Sequence, residues 1–249
     1  GQFTNDVGRG GSERVVFGGF CNPKGRVLAI ATIAAAPDGF LLITDASVAS
    51  ELVAALSRYV LRADVRFDAL ADYGVALRRG VGAPPWSAVS DAGGVTWSLP
   101  GDLSIVVGPR VGLPDERNPE TLGAALTLAG IPEVVADTRE QFTPQMLNLD
   151  LIDGISFDKG CYTGQEIVAR TQHLGKIKRR MRLFSCSSRA TAAPGADVLD
   201  GGGRKVGTIV RAAQTGDGQA VLAVVRTEAL DRPMALEDGE AVSVQELPG

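Results

Sequence analysis

Histidine is almost missing from this chain of 249 residues, where His173 is the only one. A histidine-rich zinc site is thereby excluded, and a Ser-His-Asp triad would have one candidate base. Cysteine is nearly as scarce: Cys21, Cys161 and Cys186 form an odd set without a CxxC pair. This excludes a disulfide framework and fits a reducing compartment, so a cytoplasmic location is expected. The longest strongly apolar run, Val27 to Ala36, is far too short to span a bilayer, and no membrane role is expected. Charge of one sign is also lacking. The formal net charge of −4 gives the whole surface no reason to attract nucleic acid, and direct nucleic-acid binding is not expected.

What remains is ordinary for a folded protein, with 45% apolar and 22% charged residues. The chain starts Gly1-Gln2-Phe3-Thr4-Asn5-Asp6-Val7, without Met and already polar, and reads as though a preceding segment has been trimmed.

The first two-thirds mixes strands and helices. Arg14–Phe20 and Arg26–Ala34 read as strands around the turn Asn22-Pro23-Lys24-Gly25, followed by a third apolar run, Phe40–Thr44. Asp45 and Ser47 are good N-caps for a helix to about Leu61, with Val48, Leu52, Leu56, Tyr59 and Val60 on one face. Val65–Ala69, Tyr73–Arg78, Val95–Leu99 and Leu103–Val107 read as further strands. A second helix is predicted from about Pro119 to Ala129, stopped by Gly130-Ile131-Pro132. Later the character changes. Met181–Cys186, Arg204–Arg211, Ala220–Arg226 and Ala241–Glu246 are short strand-like runs between Gly-, Asp- and Pro-rich turns, the pattern of a small antiparallel barrel or sandwich. The boundary falls near Lys176, giving units 1–175 and 176–249.

The chemistry concentrates in Lys159-Gly160-Cys161-Tyr162-Thr163-Gly164-Gln165-Glu166. Thr163 followed three residues later by Glu166 is a capping-box pattern, which predicts a helix from Thr163 to about His173. Cys161 then lies two residues before the cap, near the helix's positive end and near Lys159, and both features favour a thiolate. Gly160 and Gly164 allow a sharp turn and close approach of a ligand. A plainer reading fits the same residues, since free cysteines pack as small hydrophobes and a capping box marks many ordinary helix starts.

The run KGCYTGQE closely resembles the signature of the YgfZ family of folate-binding proteins. Gly154-Ile155-Ser156-Phe157, Ile167-Val168-Ala169-Arg170, Gln141-Phe142-Thr143-Pro144-Gln145 and Asn148-Leu149 extend the match. Gly1–Val7 looks like the family's GQ-T-DV segment, and Lys24-Gly25-Arg26 like its KG[RK] turn. The resemblance covers nearly the whole chain and implies that the family's first strand and its flanks are missing from it. The family is similar in fold to the aminomethyltransferase (T-protein) of the glycine cleavage system. The implied class is α+β, with α/β lobes around a folate channel and a C-terminal antiparallel β-barrel. The resemblance further implies a tetrahydrofolate ligand and a part in iron–sulfur cluster assembly or repair. Iron–sulfur client or assembly proteins would be the partners, and the effect on tRNA modification would run indirectly through a client enzyme.

Carried over by position, Cys161 is the family's signature cysteine, with Lys159, Gly160, Tyr162, Gly164, Gln165 and Glu166 as companions. Asp6, Lys24 and Arg26 match positions expected to face the channel, and with Tyr162 and Gln165 they are the expected folate contacts. No resident metal is implied. Two departures stand out. Val27-Leu28-Ala29-Ile30 occupies the place of an acidic pair in the glycine-cleavage enzyme, so no carboxylate is evident to steer a pterin-bound amine, and aminomethyl transfer is not expected. Leu122–Ala129 is small or apolar apart from Thr127, which removes other contacts. If a one-carbon transferase were nonetheless at work, Asp6 or Glu166 would have to supply the carboxylate.

Other groups read two ways. Lys176, Lys178, Arg179, Arg180 and Arg182 form either a phosphate- or carboxylate-binding cluster or a solvated strand face, with Lys178, Arg180 and Arg182 on one side. Trp86 and Trp97 suit either pterin stacking or packing. Asp150 and Asp153 fit loop capping better than acid–base work, His173 fits a surface site at a helix end, and Cys21 and Cys186 fit structural roles.

Overall fold

The computed structural model describes residues 1–36, 39–79, 83–91, 94–100, 102–113, 118–187 and 189–247. Apolar residues on both faces make the first two strands two-sided. β1 (Val16–Cys21) pairs antiparallel with β2 (Val27–Ala36), which pairs with β3 (Gly39–Ile43). Along β1, Val16 and Phe20 pack with Phe3 and with Val48 and Leu52 of α1 (Ala46–Ser57), while Phe17 faces the main core. Asp45 caps α1, its carboxylate accepting from the Ser47 amide as its residue type predicts. The helix stops short of Leu61: Arg58 closes it, and Tyr59 and Leu61 stand exposed.

The second sheet has the order β4-β7-β6-β5, with β4 Tyr73–Arg79, β5 Ala88–Asp91, β6 Gly94–Leu99 and β7 Leu103–Pro109. The predicted strand Val65–Ala69 does not form. The segment finds no ladder partner and lies along a groove beside β3 and α1, with Val65 and Phe67 exposed. Residues 80–82 and 114–117, which flank this region in sequence, lie outside the described residues. α2 (Pro119–Leu128) is capped by the Asn118 side chain on the Glu120 amide and lies against the barrel.

The C-terminal strands close into a six-membered antiparallel barrel, β10-β11-β8-β13-β12-β9. They are β8 Arg179–Cys186, β9 Asp197–Asp200, β10 Lys205–Thr215, β11 Gly218–Arg226, β12 Met234–Leu236 and β13 Ala241–Gln245. β11 is buried from Gly218 to Val225 because Val221, Ala223 and Val225 fill the barrel while Ala220, Leu222 and Val224 join the main core. That core runs without a break through both sheets, the barrel's outer face and Val168 of α3 (Gln165–Leu174). Among the described residues no helix is long and apolar enough to cross a membrane.

Candidate functional site

A cavity of about 460 Å³ opens where β1, β2, the second sheet, α2 and the barrel converge. Its size suits a small organic ligand. One wall is aromatic. Phe17 stacks on Trp86 with ring centroids 4.7 Å apart and planes 13° off parallel, and Trp97 also lines the space. Trp86 sits at φ +67°, a strained setting for a bulky residue, held by Trp86 N–H donating to the Ser98 carbonyl and the Trp86 carbonyl accepting from Val15 N–H. Leu122 and Leu126 of α2 supply an apolar wall.

The polar wall was not legible beforehand. Arg211 of β10 reaches this cavity because the strand bulges: Ile209 faces Ala223 and Arg211 faces Leu222, leaving Val210 as the extra residue. The bulge turns Arg211 to the core side, where its guanidinium lies 2.7 Å from the Glu133 carboxylate. Burial pushes Glu133 above the usual carboxylate range, opposed by Arg211; burial likewise lowers Arg211, opposed by Glu133 and Asp45. Arg211 Nε and Trp97 Nε1 are buried without a hydrogen-bond partner among the described residues. Asp45, read as a helix cap, caps the helix and also lines the cavity. Two carboxylates, Asp45 and Glu133, therefore line this cavity, although Val27-Leu28-Ala29-Ile30 offers none.

The expected folate contacts lie elsewhere. None of Asp6, Lys24, Arg26, Tyr162 and Gln165 lines this cavity. Asp6 caps a short 3-10 turn, accepting from the Gly8 amide at 3.0 Å. Lys24 and Arg26 line a second cavity beside the barrel. Tyr162 is buried, which drives its phenol pKa well up, with Cys21 nearby adding to the shift. Gln165 opens α3 half-exposed, its amide donating to the Tyr162 carbonyl at 3.1 Å.

The signature loop differs locally from the capping-box expectation. The N-cap of α3 is Gly164 at φ +83°, no side chain caps the helix, and the helix starts at Gln165. The reason is close packing. A β-carbon on Gly164 would stand 2.5 Å from the Asn22 carbonyl and 2.9 Å from Gly25 Cα, so the β1–β2 turn occupies the space beside the cap. Gly25, at φ +67°, meets Ile167 in the same way. Cys161 consequently lies three residues before the cap, exposed, with no hydrogen bond or ion pair to its thiol among the described residues.

Lys159 turns away from the solvent side of the loop. Its ammonium donates to the Phe3 carbonyl at 2.6 Å and the Gly1 carbonyl at 3.4 Å, and lies 4.9 Å from the Tyr162 ring centre. Burial lowers its pKa, and Asp6 partly offsets this. Lys159 thus ties the N-terminal segment to the loop. Thr4 and Asn5 complete the seam: Thr4 Oγ1 donates to the Gly154 carbonyl at 2.7 Å, and Asn5 Nδ2 to the carbonyls of Phe17 and Asp153. Gly160 has open space around it, and Glu166 is exposed.

The remaining candidates separate cleanly. Asp150 holds Arg180 in a two-point, largely buried ion pair at 2.7 and 2.8 Å, and Asp153 pairs with Arg14. His173, in the last turn of α3, meets Phe157 edge-on at 6.2 Å. Cys21 is buried, which pushes its thiol up to about 12. Cys186 belongs to the barrel, its thiol raised by burial and by Asp238 and Glu240. No cluster of three or more His, Cys, Asp or Glu residues able to hold a metal occurs among the described residues.

Comparison with known proteins joins these parts. The family model "CAF17, C-terminal beta-barrel domain" matches residues 178–248, the span of the barrel. A protein of Sodalis glossinidius, the "tRNA-modifying protein YgfZ", is 30% identical over the whole of this chain and 85% of its own length. The chain belongs to the YgfZ family. A second YgfZ protein, from an Enterobacter species, is 29% identical over all of this chain and 86% of its own. The aminomethyltransferase T of the Bartonella henselae glycine cleavage system superimposes with a TM-score of 0.71 at 15% identity, covering 99% of this chain and 79% of that one. The YgfZ chain therefore has the aminomethyltransferase-like α+β fold with a C-terminal antiparallel β-barrel.

Proposed function

We propose that this chain is a cytoplasmic, folate-binding accessory protein for iron–sulfur cluster assembly or repair. Residues 1–175 form its folate-binding part and 176–249 its barrel, and Cys161 is the essential thiol. Its influence on tRNA modification, the activity in its relatives' name, would be indirect, through an iron–sulfur client enzyme. The observation that supports folate is the central cavity: aromatic on one side, carrying a largely buried Arg211–Glu133 pair on another, and lined by Arg211 and Trp97, whose Nε and Nε1 donors have no partner among the described residues. A pterin fits that chemistry, being flat, aromatic and edged with donors and acceptors. Phe17, Trp86 and Trp97 would flank the ring, and Glu133 and Arg211 would meet its polar edge. When bound, tetrahydrofolate supplies a carrier for one-carbon units.

Cys161 supports the other half of the reading because it is exposed and unengaged, and so open to a partner protein. One cysteine cannot hold a cluster alone, so the cluster must be shared with a client or assembly protein. The test is complementation: cells lacking the protein receive the full-length gene or its Cys161→Ala form, and an iron–sulfur enzyme is assayed under oxidative stress. Rescue by the wild type alone supports the thiol's role, whereas equal rescue refutes it. In parallel, tetrahydrofolate titrated into the purified protein should quench tryptophan fluorescence, and Arg211→Met should weaken binding about tenfold or more.

A second reading, a one-carbon transferase, gains from Asp45 and Glu133 in the cavity, where a carboxylate could steer an amine. It requires turnover of methylene-tetrahydrofolate by the purified protein, abolished by Glu133→Gln or Asp45→Asn. A flat progress curve removes it.

A further inference from the structure

The second cavity, about 430 Å³, lies between the β1–β2 turn, residues 140–146 and the barrel. It shares no lining residue with the central cavity. Phe142 and Met146 contribute apolar lining, and four cations surround it: Lys24, Arg26, Arg179 and Lys205. Lys205 is paired with Asp197 at 2.5 Å. The other three have no ion pair among the described residues, and Glu140 is the one carboxylate among the lining residues. Three unneutralised cations against one anion leave an excess positive charge inside a concave site, where field lines concentrate.

The site is also prearranged. The Asn22 side-chain carbonyl accepts from the amides of both Lys24 and Arg26, at 2.9 and 3.0 Å, which fixes the turn that presents them. Arg26 Nη1 donates to the Gln141 carbonyl at 2.8 Å, which holds the guanidinium against the wall. Arg179 opens β8, where the strand is anchored on β11. Strand alternation separates Arg179 from its neighbour Arg180, which Asp150 neutralises. Of the basic run seen in the sequence, Arg180 is thus taken up by a structural ion pair and Arg179 by this cavity.

We infer that this cavity binds a small ligand carrying two or more oxyanion groups in series, the chemistry shared by a phosphate chain and an oligoglutamate chain. Its volume lies in the range of small-ligand sites, and a concave pocket of this size does not suit a long phosphodiester backbone. Guanidinium groups grip oxyanions at two points, while the ammonium of Lys24 adds a mobile charge. The inference stands apart from folate in the central cavity and survives its failure.

Isothermal titration calorimetry at low ionic strength tests it with two probes, sodium tripolyphosphate and tri-γ-glutamate. At least one should saturate a single site that weakens with added salt. Arg179→Gln and Lys24→Gln, both at exposed positions, should each weaken that binding by about tenfold without lowering the melting temperature. Tighter binding of tripolyphosphate assigns a phosphate chain, and tighter binding of triglutamate assigns a carboxylate chain. Absence of a saturable site for either probe, or a site that both variants leave unchanged, overturns the inference. Binding of single-stranded RNA with neither small probe bound overturns it equally.

Discussion

The two glycines of the signature loop should behave oppositely when each is replaced by alanine. At Gly164 the backbone has φ +83°, and an L-residue there costs about 1–2 kcal/mol in backbone strain. The new β-carbon would also stand 2.5 Å from the Asn22 carbonyl and 2.9–3.0 Å from Gly25 Cα and N. These are backbone atoms of a turn pinned by the Asn22 side chain, so no rotamer change relieves the contact. Overpacking of this kind adds roughly 1–3 kcal/mol, for a total of about 2–5 kcal/mol. In a protein of this length that lowers the melting temperature by roughly 4–20 °C. At Gly160 a β-carbon meets nothing within 4 Å and φ lies outside the left-handed region. Gly160→Ala should leave stability unchanged or raise it by up to about 1 kcal/mol through the unfolded chain. Thermal melts of the two variants, with hydrogen exchange at α3 to locate any opening, make the comparison. If Gly164→Ala melts with the wild type, the docking of the β1–β2 turn on α3 is wrong.

Three further outcomes follow from the same geometry. Arg180→Met should cost about 3–5 kcal/mol in urea unfolding, because it leaves Asp150 buried and unpaired. The double variant Arg180→Met, Asp150→Leu should recover most of that loss, and a double variant as unstable as the single would refute the pairing. Thiol labelling at neutral pH should modify Cys161 first, whereas Cys21, buried with its thiol pushed up to about 12, should react only on unfolding. Peptide mapping that finds Cys21 labelled as fast as Cys161 would contradict the buried position. Glu133 has a folded pKa raised by burial, so the native state binds its proton more tightly than the unfolded chain does. Its contribution to stability is present below the ordinary glutamate range and lost as pH rises through the folded value. Glu133→Gln should remove that downward slope from the stability–pH profile, and an unchanged slope would count against the shift.

Much of this fold was legible because its strongest elements combine periodicity with punctuation. Asp45 and Val48–Leu52 announce α1, the Asn22–Gly25 turn separates two apolar strands, and the late runs between Gly- and Asp-rich turns announce the barrel. Failures arose where tertiary contacts overrule local pattern. Val65–Ala69 has strand composition but no edge to join, and β5, β9 and β12 are too short to signal themselves and exist through their partners. Thr163 and Glu166 spell a capping box, but the close docking of the β1–β2 turn hands the cap to Gly164. The site divided in the same way. The Cys161 loop could be found as a contiguous motif. Phe17, Glu133 and Arg211 could not, because they come from three distant segments, and Arg211 faces the cavity through a bulge that leaves no mark in the sequence.

The separation of cavity and thiol bears on the choice between the two functional readings. A transferase working through Cys161 would need the pterin's reactive atoms and the sulfur in one place. Cys161 does not line the cavity, and neither do Asp6 and Glu166, the carboxylates a transferase was expected to recruit. The carboxylates that do line it have prior commitments: Glu133 to Arg211, and Asp45 to the amide and hydroxyl of Ser47. Any transfer chemistry in the cavity would therefore proceed without the thiol, on a carboxylate that already has one partner. The accessory reading does not need the thiol and the pterin in one place. It leaves the thiol on the surface for a partner and the cavity to folate, with β1 running between them: Phe17 lines the cavity, and Cys21, at the strand's end, lies near Tyr162 of the signature loop. Loss of iron–sulfur rescue in Cys161→Ala with folate binding intact would match that division. Loss of folate binding in the same variant would mean that the two sites are one.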